Sequence, residues 1–355
     1  MVKRGHSVRV ITIKHSKNLA CDELLNGVQI HRIDTLWRSR HLFAFWSLFS
    51  VIKYAKEADI IHCAFFVSPF SAIPASKIKG KPLIVTIHEV WGRNWFKFER
   101  NPIRAMIDYL GEKILIRMPY DAITCPSIFT LETLRELGVS EAKTKYIPNG
   151  IEIERFKPRS KDPDLLKELG LKGYNVYMFY GRPGISKGVE YLVRAAKLIK
   201  KKMKKSKLLM ILGKEPRRKY EKILHMIDEF KLADHICLLD PLPYDDLPRY
   251  ISLADLVVVP SLSEGFGYSA AESAAMGKPI VASNAGSLPE IVTHKESGML
   301  VRPRSPEEIS AAVCKLLNDK KTAIRMGKAA RVKVSKFNWG KSLDLLEALY
   351  LKLIS

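Results

Sequence analysis

The stretch "PSLSEGFGYSAAESAAMGKPIVASNAGSLPEIV", from Pro260 to Val292, places two carboxylates around a glycine-rich turn. Glu264 stands directly before Gly-Phe-Gly, and Glu272 follows eight positions later, where the pattern predicts a helix. The apolar runs "ADLVVVPS" and "KPIVAS" bracket both carboxylates and predict two strands. The stretch therefore predicts strand, turn, helix and strand in succession, which is the repeating unit of an α/β sheet.

Composition and length favour a globular protein of two domains. The chain has 355 residues, 47% of them hydrophobic, and about 100 to 200 residues per domain are usual. No apolar run reaches the roughly 18 residues of a membrane span, and the run from His41 to Ile52 predicts a buried helix instead. The cysteines are scattered without a C-x-x-C pair, so we expect neither a zinc site nor disulfides, and a reducing, cytoplasmic setting.

The formal net charge of +22 is spread along the whole chain. Residues 1–150 hold 22 Lys and Arg against 13 Asp and Glu, and the remainder holds 37 against 24. The dense run from Lys197 to Lys207 is typical of a solvated helix end, where cations oppose the negative pole. Peripheral contact with an anionic membrane surface stays an open alternative. We expect no nucleic-acid partner, because no zinc-finger, RNP-like or helix-turn-helix pattern is present.

Strand and helix patterns alternate from one end of the sequence to the other. The runs "SVRVITI", "KPLIVTIH", "YNVYMFYG" and "SKLLMILG" predict strands, each separated from the next by helical or connecting segments. This alternation predicts an α/β protein with parallel, doubly wound sheets. A polar, proline-containing stretch near residues 150–160 divides it into two domains. Ligands of such sheets bind beyond the carboxyl ends of the strands, which selects three loops.

The first loop is "YGRPGISKGVEYL", which follows a strand predicted to end at Tyr180. Gly181 and Gly184 permit a tight, exposed turn. Arg182 and Lys187 lie close to the start of the next helix, an end that is already positive. A diphosphate would compensate this charge, so the loop predicts a phosphate site. The alternative is a surface loop with two ordinary cations.

The second loop is the glycine-rich turn quoted above. Gly265 and Gly267 allow the backbone to approach a ligand, and a helix beginning near Tyr268 offers free amides to an anion. Carboxylates suit a different partner, because they accept hydrogen bonds from the vicinal hydroxyls of sugars and riboses. Glu264 and Glu272 with a diphosphate between them predict a nucleotide-sugar site. The alternative is a helix-capping acid followed by a solvated one.

The third loop begins with "VTIHEVWG" in the first half. His88 ends a strand there, where it could position a hydroxyl or exchange a proton, although a structural role is the ordinary alternative. The following "WGRNWFKFER" mixes four aromatic residues with three cations. This segment predicts either an acceptor or membrane contact, or the buried start of a helix.

Together these stretches resemble the retaining GT-B glycosyltransferases of glycosyltransferase family 4, over nearly the whole chain. "GRPGISKG" resembles the diphosphate-binding pattern of that family, "SEGFG" with "AAE" resembles its E-x7-E motif, and "YIPNGIE" resembles its inter-domain segment. The resemblance implies two Rossmann-like domains facing each other across a cleft. They would be an acceptor-side domain over residues 1–155, a nucleotide-sugar domain over 156–336, and a helix over 337–355 that returns to the first domain.

The resemblance also implies a role for each candidate residue. Arg182 and Lys187 would hold the donor diphosphate, Glu264 the hydroxyls of the transferred sugar, Glu272 the ribose, and His88 would lie near the sugar. The remaining donor contacts would come from Gly181, Gly265, Phe266, Gly267 and Tyr268.

The implied activity is metal-independent transfer of a hexosyl group from a UDP-, GDP- or ADP-sugar to a glycan, lipid or small-molecule acceptor. Retention with front-side attack is expected, with no cofactor and no metal site, since no D-x-D stands at a predicted strand end. The open alternatives are a nucleotide-sugar epimerase, a glucan phosphorylase, an inactive truncated paralogue and a basic binding protein.

One departure concerns the first residues. Family members have a strand, a glycine-rich loop and most of a helix before the segment that "VKRGHSVRVIT" resembles, and here that segment begins at residue 2. The resemblance therefore implies that the first strand and its loop are absent. Because that strand is central in a doubly wound sheet, its neighbours would lose a partner.

Overall fold

Two α/β units make up the chain. A computed structural model describes residues 1–35, 39–99 and 101–355, with the backbone alone at 40 and 41. Unit 1 consists of Met1–Pro148 with Gly340–Ser355, and unit 2 consists of Asn149–Trp339. Each is built from alternating strands and helices, as the sequence pattern predicts.

Regular elements cover most of the described ranges. The strands are β1 (Val8–Ile13), β2 (Asp22–Leu25), β3 (Val28–Ile33), β4 (Ile61–Ala64), β5 (Leu83–Thr86), β6 (Ala122–Cys125), β7 (Thr144–Tyr146), β8 (Asn175–Gly181), β9 (Ser206–Leu212), β10 (Ile236–Leu239), β11 (Leu256–Val259), β12 (Ile280–Ser283) and β13 (Gly298–Val301). The helices are α1 (Arg40–Ala55), α2 (Pro69–Lys79), α3 (Trp95–Phe98), α4 (Pro102–Leu115), α5 (Ile128–Glu136), α6 (Pro163–Glu168), α7 (Val189–Lys202), α8 (Arg217–Glu229), α9 (Leu247–Leu253), α10 (Tyr268–Ala275), α11 (Leu288–Ile291), α12 (Pro306–Asn318), α13 (Lys320–Val334) and α14 (Trp339–Ile354). Short 3₁₀ turns lie at Val2–Arg4, Gly92–Asn94 and Ile185–Lys187.

Unit 1 has a divided sheet. Its strands form one group in the order β1-β3-β2 and another in the order β4-β5-β6-β7. β2 is antiparallel to β3 and was not predicted, because its four residues are all exposed and show no buried alternation. The other described pairs in this unit are parallel, as expected.

A cavity separates the two groups of strands. Within the described ranges β1 pairs with β3 alone and β4 with β5 alone, so each leaves one edge unpaired. The cavity holds about 520 Å³ and is lined by both strands and by parts of α1 and α2. The unpaired edges of β1 and β4 both border this cavity. The absence of the family's first strand itself stays a prediction.

The expectation of a buried helix between His41 and Ile52 was wrong in part. The segment is helical, and α1 packs against α2 and β1. However, Phe45, Trp46 and Phe49 are exposed. A helix with apolar residues on every side cannot turn all of them toward one neighbouring layer.

The C-terminal helix α14 packs within unit 1. Arg4 donates to Glu347 over 2.6 Å, and a nitrogen of His6 lies 2.6 Å from the other oxygen of the same carboxylate. Leu349 is buried against Ile84 and Ala122 of the four-stranded group. These contacts join the two ends of the chain in one unit.

Unit 2 has one continuous sheet of six parallel strands, in the order β10-β9-β8-β11-β12-β13. A buried apolar cluster covers each face of the sheet. The chain runs outward from β8 to β10, then returns to the other side of β8 with β11. This reversal is a topological switch point, where open α/β sheets bind their ligands.

Candidate active site

The two charged loops of unit 2 leave neighbouring strands. β8 ends at Gly181 and β11 at Val259, and the strands are paired in register from Tyr177 with Leu256. Parallel strands end at the same edge of a sheet, so the segments that follow them meet at the switch point. The sequence placed both loops at strand ends, and the strand order makes them adjacent.

Backbone contacts press the loops together. The amide of Leu262 donates to the carbonyl of Ser186 over 2.6 Å. Gly188 has a φ of 62°, and a Cβ atom there would overlap the carbonyl oxygen of Pro260. Only glycine combines this backbone conformation with this close approach. These backbone contacts therefore fix the position of the two loops relative to each other.

Lys187 and Glu264 form an ion pair across this contact. Lys187 Nζ donates to Glu264 Oε1 over 2.6 Å, and Ser261 Oγ donates to the same oxygen over 2.8 Å. Glu264 is buried, and the amide of Ser287 donates to its carbonyl over 3.0 Å. Because an ammonium group has three hydrogens, the pair leaves Lys187 two donors for a further partner.

Arg182 lies at the mouth of the same loop. It is exposed, and its side chain runs alongside Gly213, whose amide donates to the carbonyl of Gly181 over 2.9 Å. In the part of the chain that the structure describes, Arg182 forms no ion pair with an acidic side chain. Lys187 is thus paired with a buried carboxylate, whereas Arg182 is left open to a ligand.

Two helices begin at these loops on glycine residues. α7 has Gly188 as its N-cap and α10 has Gly267, and neither has a side chain that caps its first amides. Phe266 is buried and lies edge-to-face with Tyr268, which anchors the turn around Gly265. Uncapped amides at a helix start suit an anion.

Glu272 lies on α10 and is held by tyrosines. The hydroxyl of Tyr180 donates to Oε2 over 3.0 Å, and that of Tyr244 donates to Oε1 over 2.9 Å. Burial raises the pKa of Glu272 to about 7, although both tyrosines favour its ionised form. Each carboxylate oxygen has a further lone pair, so the group can still accept hydrogen bonds from a ligand.

Two partners of the glutamates were not predicted from the sequence: Tyr244, which donates to Glu272, and Ser261, which donates to Glu264. Tyr244 follows β10, so the rule that selected the other strand-end loops would have selected this one too. Ser261 carries no such signal, because serine is common in loops. Among the described residues, the buried hydroxyls of Ser263, Ser283 and Ser287 have no hydrogen-bond partner, and two of these serines adjoin Glu264 in the fold or in the sequence. Buried polar groups without a hydrogen-bond partner are rare in folded proteins.

His88 belongs to unit 1 and follows β5. It is exposed, yet its partial removal from water lowers its pKa. The same effect, with the charge of His88, lowers the pKa of His62 to about 4. Both pKa shifts favour the neutral imidazole. The role expected for His88 stays a prediction.

The aromatic segment after His88 packs mostly against itself. Trp91 lies 4.5 Å from Trp95 and 4.9 Å from Phe98 between ring centroids. The buried carboxylate of Glu112 accepts hydrogen bonds from the amides of Trp91 and Gly92, over 3.0 and 2.7 Å. The segment thus forms the start of a helical region, one of its two expected structures. Its last residue, at position 100, lies outside the described residues.

Two family models match the sequence in adjoining parts. Glycosyl transferases group 1 matches residues 162–333, and Glycosyltransferase Family 4 matches residues 1–155. The chain is therefore similar to glycosyltransferases in both of its parts. Its fold is GT-B, with two Rossmann-like domains, as the resemblance implied.

Individual relatives of the family are similar over most of the chain. An uncharacterized glycosyltransferase of Methanocaldococcus jannaschii, MJ1607, is 28% identical over 90% of this chain and 82% of its own length. Sucrose-phosphate synthase from Thermosynechococcus elongatus has a TM-score of 0.86 at 24% identity, over 99% of this chain and 90% of that one. Anabaena Alr3699/HepE, solved in complex with UDP-glucose, has a TM-score of 0.77 at 21% identity, over 91% and 86%.

Two further observations concern metals and membranes. Across residues 1–35, 39–99 and 101–355, no group of three or more His, Cys, Asp or Glu is placed to hold a metal ion. The helices within these ranges include none with both the length and the apolar character needed to cross a bilayer.

Proposed function

We propose that the protein is a retaining glycosyltransferase that moves a hexosyl group from a nucleoside-diphosphate sugar to an acceptor. The observation that carries this proposal is the Lys187–Glu264 ion pair at the switch point of unit 2, beside Arg182 and the uncapped start of α10. The two matching family models and the UDP-glucose complex of Alr3699/HepE support the choice of donor class. The base, the hexose and the acceptor are left open.

The donor would bind with its diphosphate on the positive parts of the site. Arg182 has no acidic partner in the described ranges, and Lys187 keeps two free hydrogens, so both can donate to phosphate oxygens. The amides of the turn from Gly265 to Tyr268 would complete the diphosphate site. Glu264 would accept hydrogen bonds from the hexose hydroxyls and Glu272 from the ribose.

The chemical step breaks the bond between the anomeric carbon and the β-phosphate oxygen. The acceptor oxygen forms its bond on the same face, and its proton passes to the departing phosphate oxygen. Negative charge grows on the β-phosphate, where Arg182 and Lys187 stabilise it. These cations do the work that a divalent ion does in other transferases, so we propose that none is required.

Front-side attack suits the state of Glu264 better than a covalent route. A nucleophilic carboxylate must carry enough negative charge to attack the anomeric carbon. The hydrogen bonds that Lys187 and Ser261 donate to Oε1 of Glu264 withdraw charge from the carboxylate and lower its nucleophilicity. Orientation of the sugar is the role that these contacts favour.

Unit 1 would supply the acceptor side, with His88 near the transferred sugar. The acceptor class is a glycan, a lipid or a small molecule, and a cytoplasmic setting with peripheral membrane contact stays part of the proposal. The domain boundaries implied by the resemblance, at 155 and 336, also remain proposals.

The test is an assay of the full chain with a panel of UDP-, GDP- and ADP-hexoses, with and without acceptor mixtures and with and without EDTA. We expect release of one nucleoside diphosphate, no effect of EDTA, and a product whose anomeric proton coupling matches the donor. Release from no donor, an inverted product, or loss of turnover with EDTA would each refute the corresponding part of the proposal.

A further inference from the structure

The helix α4 of unit 1 turns its apolar side chains outward. Ile103, Met106, Ile107, Leu110 and Ile114 are between 46% and 71% exposed. Their spacing of three or four residues places all five on one side of the helix. A single exposed apolar residue needs no explanation, but a continuous stripe marks a surface with a partner.

The opposite side of α4 is the side that packs. Ala105 and Glu112 are the buried residues of the helix, and Ile116 directly after it is fully buried. At 100° per residue these positions lie across the helix axis from the apolar stripe. The buried carboxylate of Glu112 anchors this side to the amides of Trp91 and Gly92. One side of α4 is therefore packed within unit 1, and its apolar side is exposed.

Cations flank the stripe. At 100° per residue, Arg104 lies on one side of it and Lys113 on the other. The two acids of the helix are not on the stripe, since Glu112 is buried and Asp108 lies 3.8 Å from Arg104. Long cationic side chains on each side of an apolar face can extend to phosphate groups while the face itself enters hydrocarbon.

We propose that α4 is a membrane-docking helix and that its partner is the surface of an anionic lipid bilayer. Apolar residues on one face with Arg and Lys at its borders are the pattern of a helix that lies in the interface plane. The chain's formal net charge of +22 complements such a surface. The inference deepens the peripheral membrane contact of the proposed function, on which it rests, and it uses unit 1 alone and no residue of the donor site.

The experiment is sedimentation of the full chain with vesicles of phosphatidylcholine alone and of phosphatidylcholine mixed with phosphatidylglycerol. We expect binding to the anionic vesicles that weakens as salt is added. The variant Ile107→Glu/Leu110→Glu should lose about tenfold or more in partition, because charge replaces apolar area in the docked face. Both positions are exposed, so the fold should be kept, which circular dichroism would verify.

A matched control lies on α13 of unit 2. Ile324 and Val332 are 60% and 74% exposed but form no stripe, so Ile324→Glu/Val332→Glu should bind vesicles as the unmodified chain does. In a second variant, Arg104→Gln/Lys113→Gln should weaken binding to anionic vesicles selectively.

Three results would overturn the proposal. They are an unmodified chain that ignores anionic vesicles, an Ile107→Glu/Leu110→Glu variant that binds as well as the unmodified chain, and a self-associated chain without vesicle binding whose oligomer the same variant dissociates. The last result would assign the stripe to a second copy of the protein.

Discussion

The two units differ in how their sheets are built. Unit 2 builds one continuous parallel sheet with an apolar core on each face. Unit 1 distributes its strands over two groups, with a cavity of about 520 Å³ between β1 and β4. A strand paired on both sides fixes the position of the loop that follows it. β8 and β11 are each paired on both sides, so the sheet of unit 2 fixes both charged loops.

The polar groups of the units differ in the same direction. In unit 2, Glu264 and Glu272 are buried and each is held by at least two side chains. In unit 1, His88 is exposed, and the large apolar surfaces of α1 and α4 face outward. Unit 2 therefore has the features of a preformed ligand site, whereas unit 1 exposes apolar surfaces suited to contact with other molecules.

The largest effect should come from removing both cations of unit 2. Arg182→Ala/Lys187→Ala should lower turnover by a factor of about 10³ or more, because stabilisation of the leaving diphosphate is lost. The matched control is Arg325→Ala/Lys328→Ala, which removes two exposed cations from α13 and should leave turnover unchanged. Steady-state kinetics on both variants checks this. Near-normal turnover in the first variant would remove the donor role from unit 2.

The clamp between the loops can be tested with two glycines. Gly188 and Gly173 both have positive φ, but a Cβ at Gly188 overlaps Pro260 while none at Gly173 meets any atom within 4 Å. Gly188→Ala should therefore cost about 2 to 4 kcal/mol of unfolding free energy, and Gly173→Ala about 1 kcal/mol. Denaturant unfolding measures both. Equal costs would mean that the close approach of the loops contributes nothing.

Hydrogen exchange should separate the units directly. Amides in the centre of the unit 2 sheet, on β8 and β9, should exchange only through global unfolding. Amides of β1 and β4 should exchange at least about tenfold faster, because each strand has one unpaired edge beside the cavity. Mass spectrometry of peptides from both units gives the rates. Slower exchange in β1 and β4 than in β8 and β9 would contradict this prediction.

The smallest effect concerns pH. Glu272 has a pKa of about 7, so it is protonated below that value and ionised above it. An ionised carboxylate accepts the ribose hydroxyls best, so affinity for a nucleotide sugar should fall as the pH drops through 7, by up to about tenfold between pH 8 and pH 6. In Glu272→Gln the affinity should be weaker and independent of pH over this range. Titrations of both proteins from pH 5 to 8 test this, and an equal pH dependence in the variant would point to another group.

Much of unit 2 could be predicted from the sequence, for a physical reason. Its strands are buried on both faces, so they appear as continuous apolar runs, and both charged loops follow such runs. The pairing of Lys187 with Glu264 could not be predicted, because it depends on β8 and β11 being neighbours despite the two strands and three helices between them.

Unit 1 was harder to predict because apolar character did not imply burial there. The aromatic run of α1 indicated a buried helix, yet Phe45, Trp46 and Phe49 are exposed. The stripe on α4 was not recognised, since apolar spacing alone does not reveal which face of a helix is covered. β2 lacked any buried alternation and gave no signal. A sequence pattern shows that a helix is amphipathic, but only the structure shows which residues pack against its apolar face.

The most direct test is calorimetric titration of the full chain with UDP, GDP and ADP, before and after the change Arg182→Ala/Lys187→Ala. We expect the unmodified chain to bind one of the three nucleotides and the variant to lose about 100-fold or more in affinity, since charge-assisted bonds to the diphosphate disappear. Binding of none of the three, or unchanged affinity in the variant, would contradict the claim that unit 2 binds the donor through these two cations.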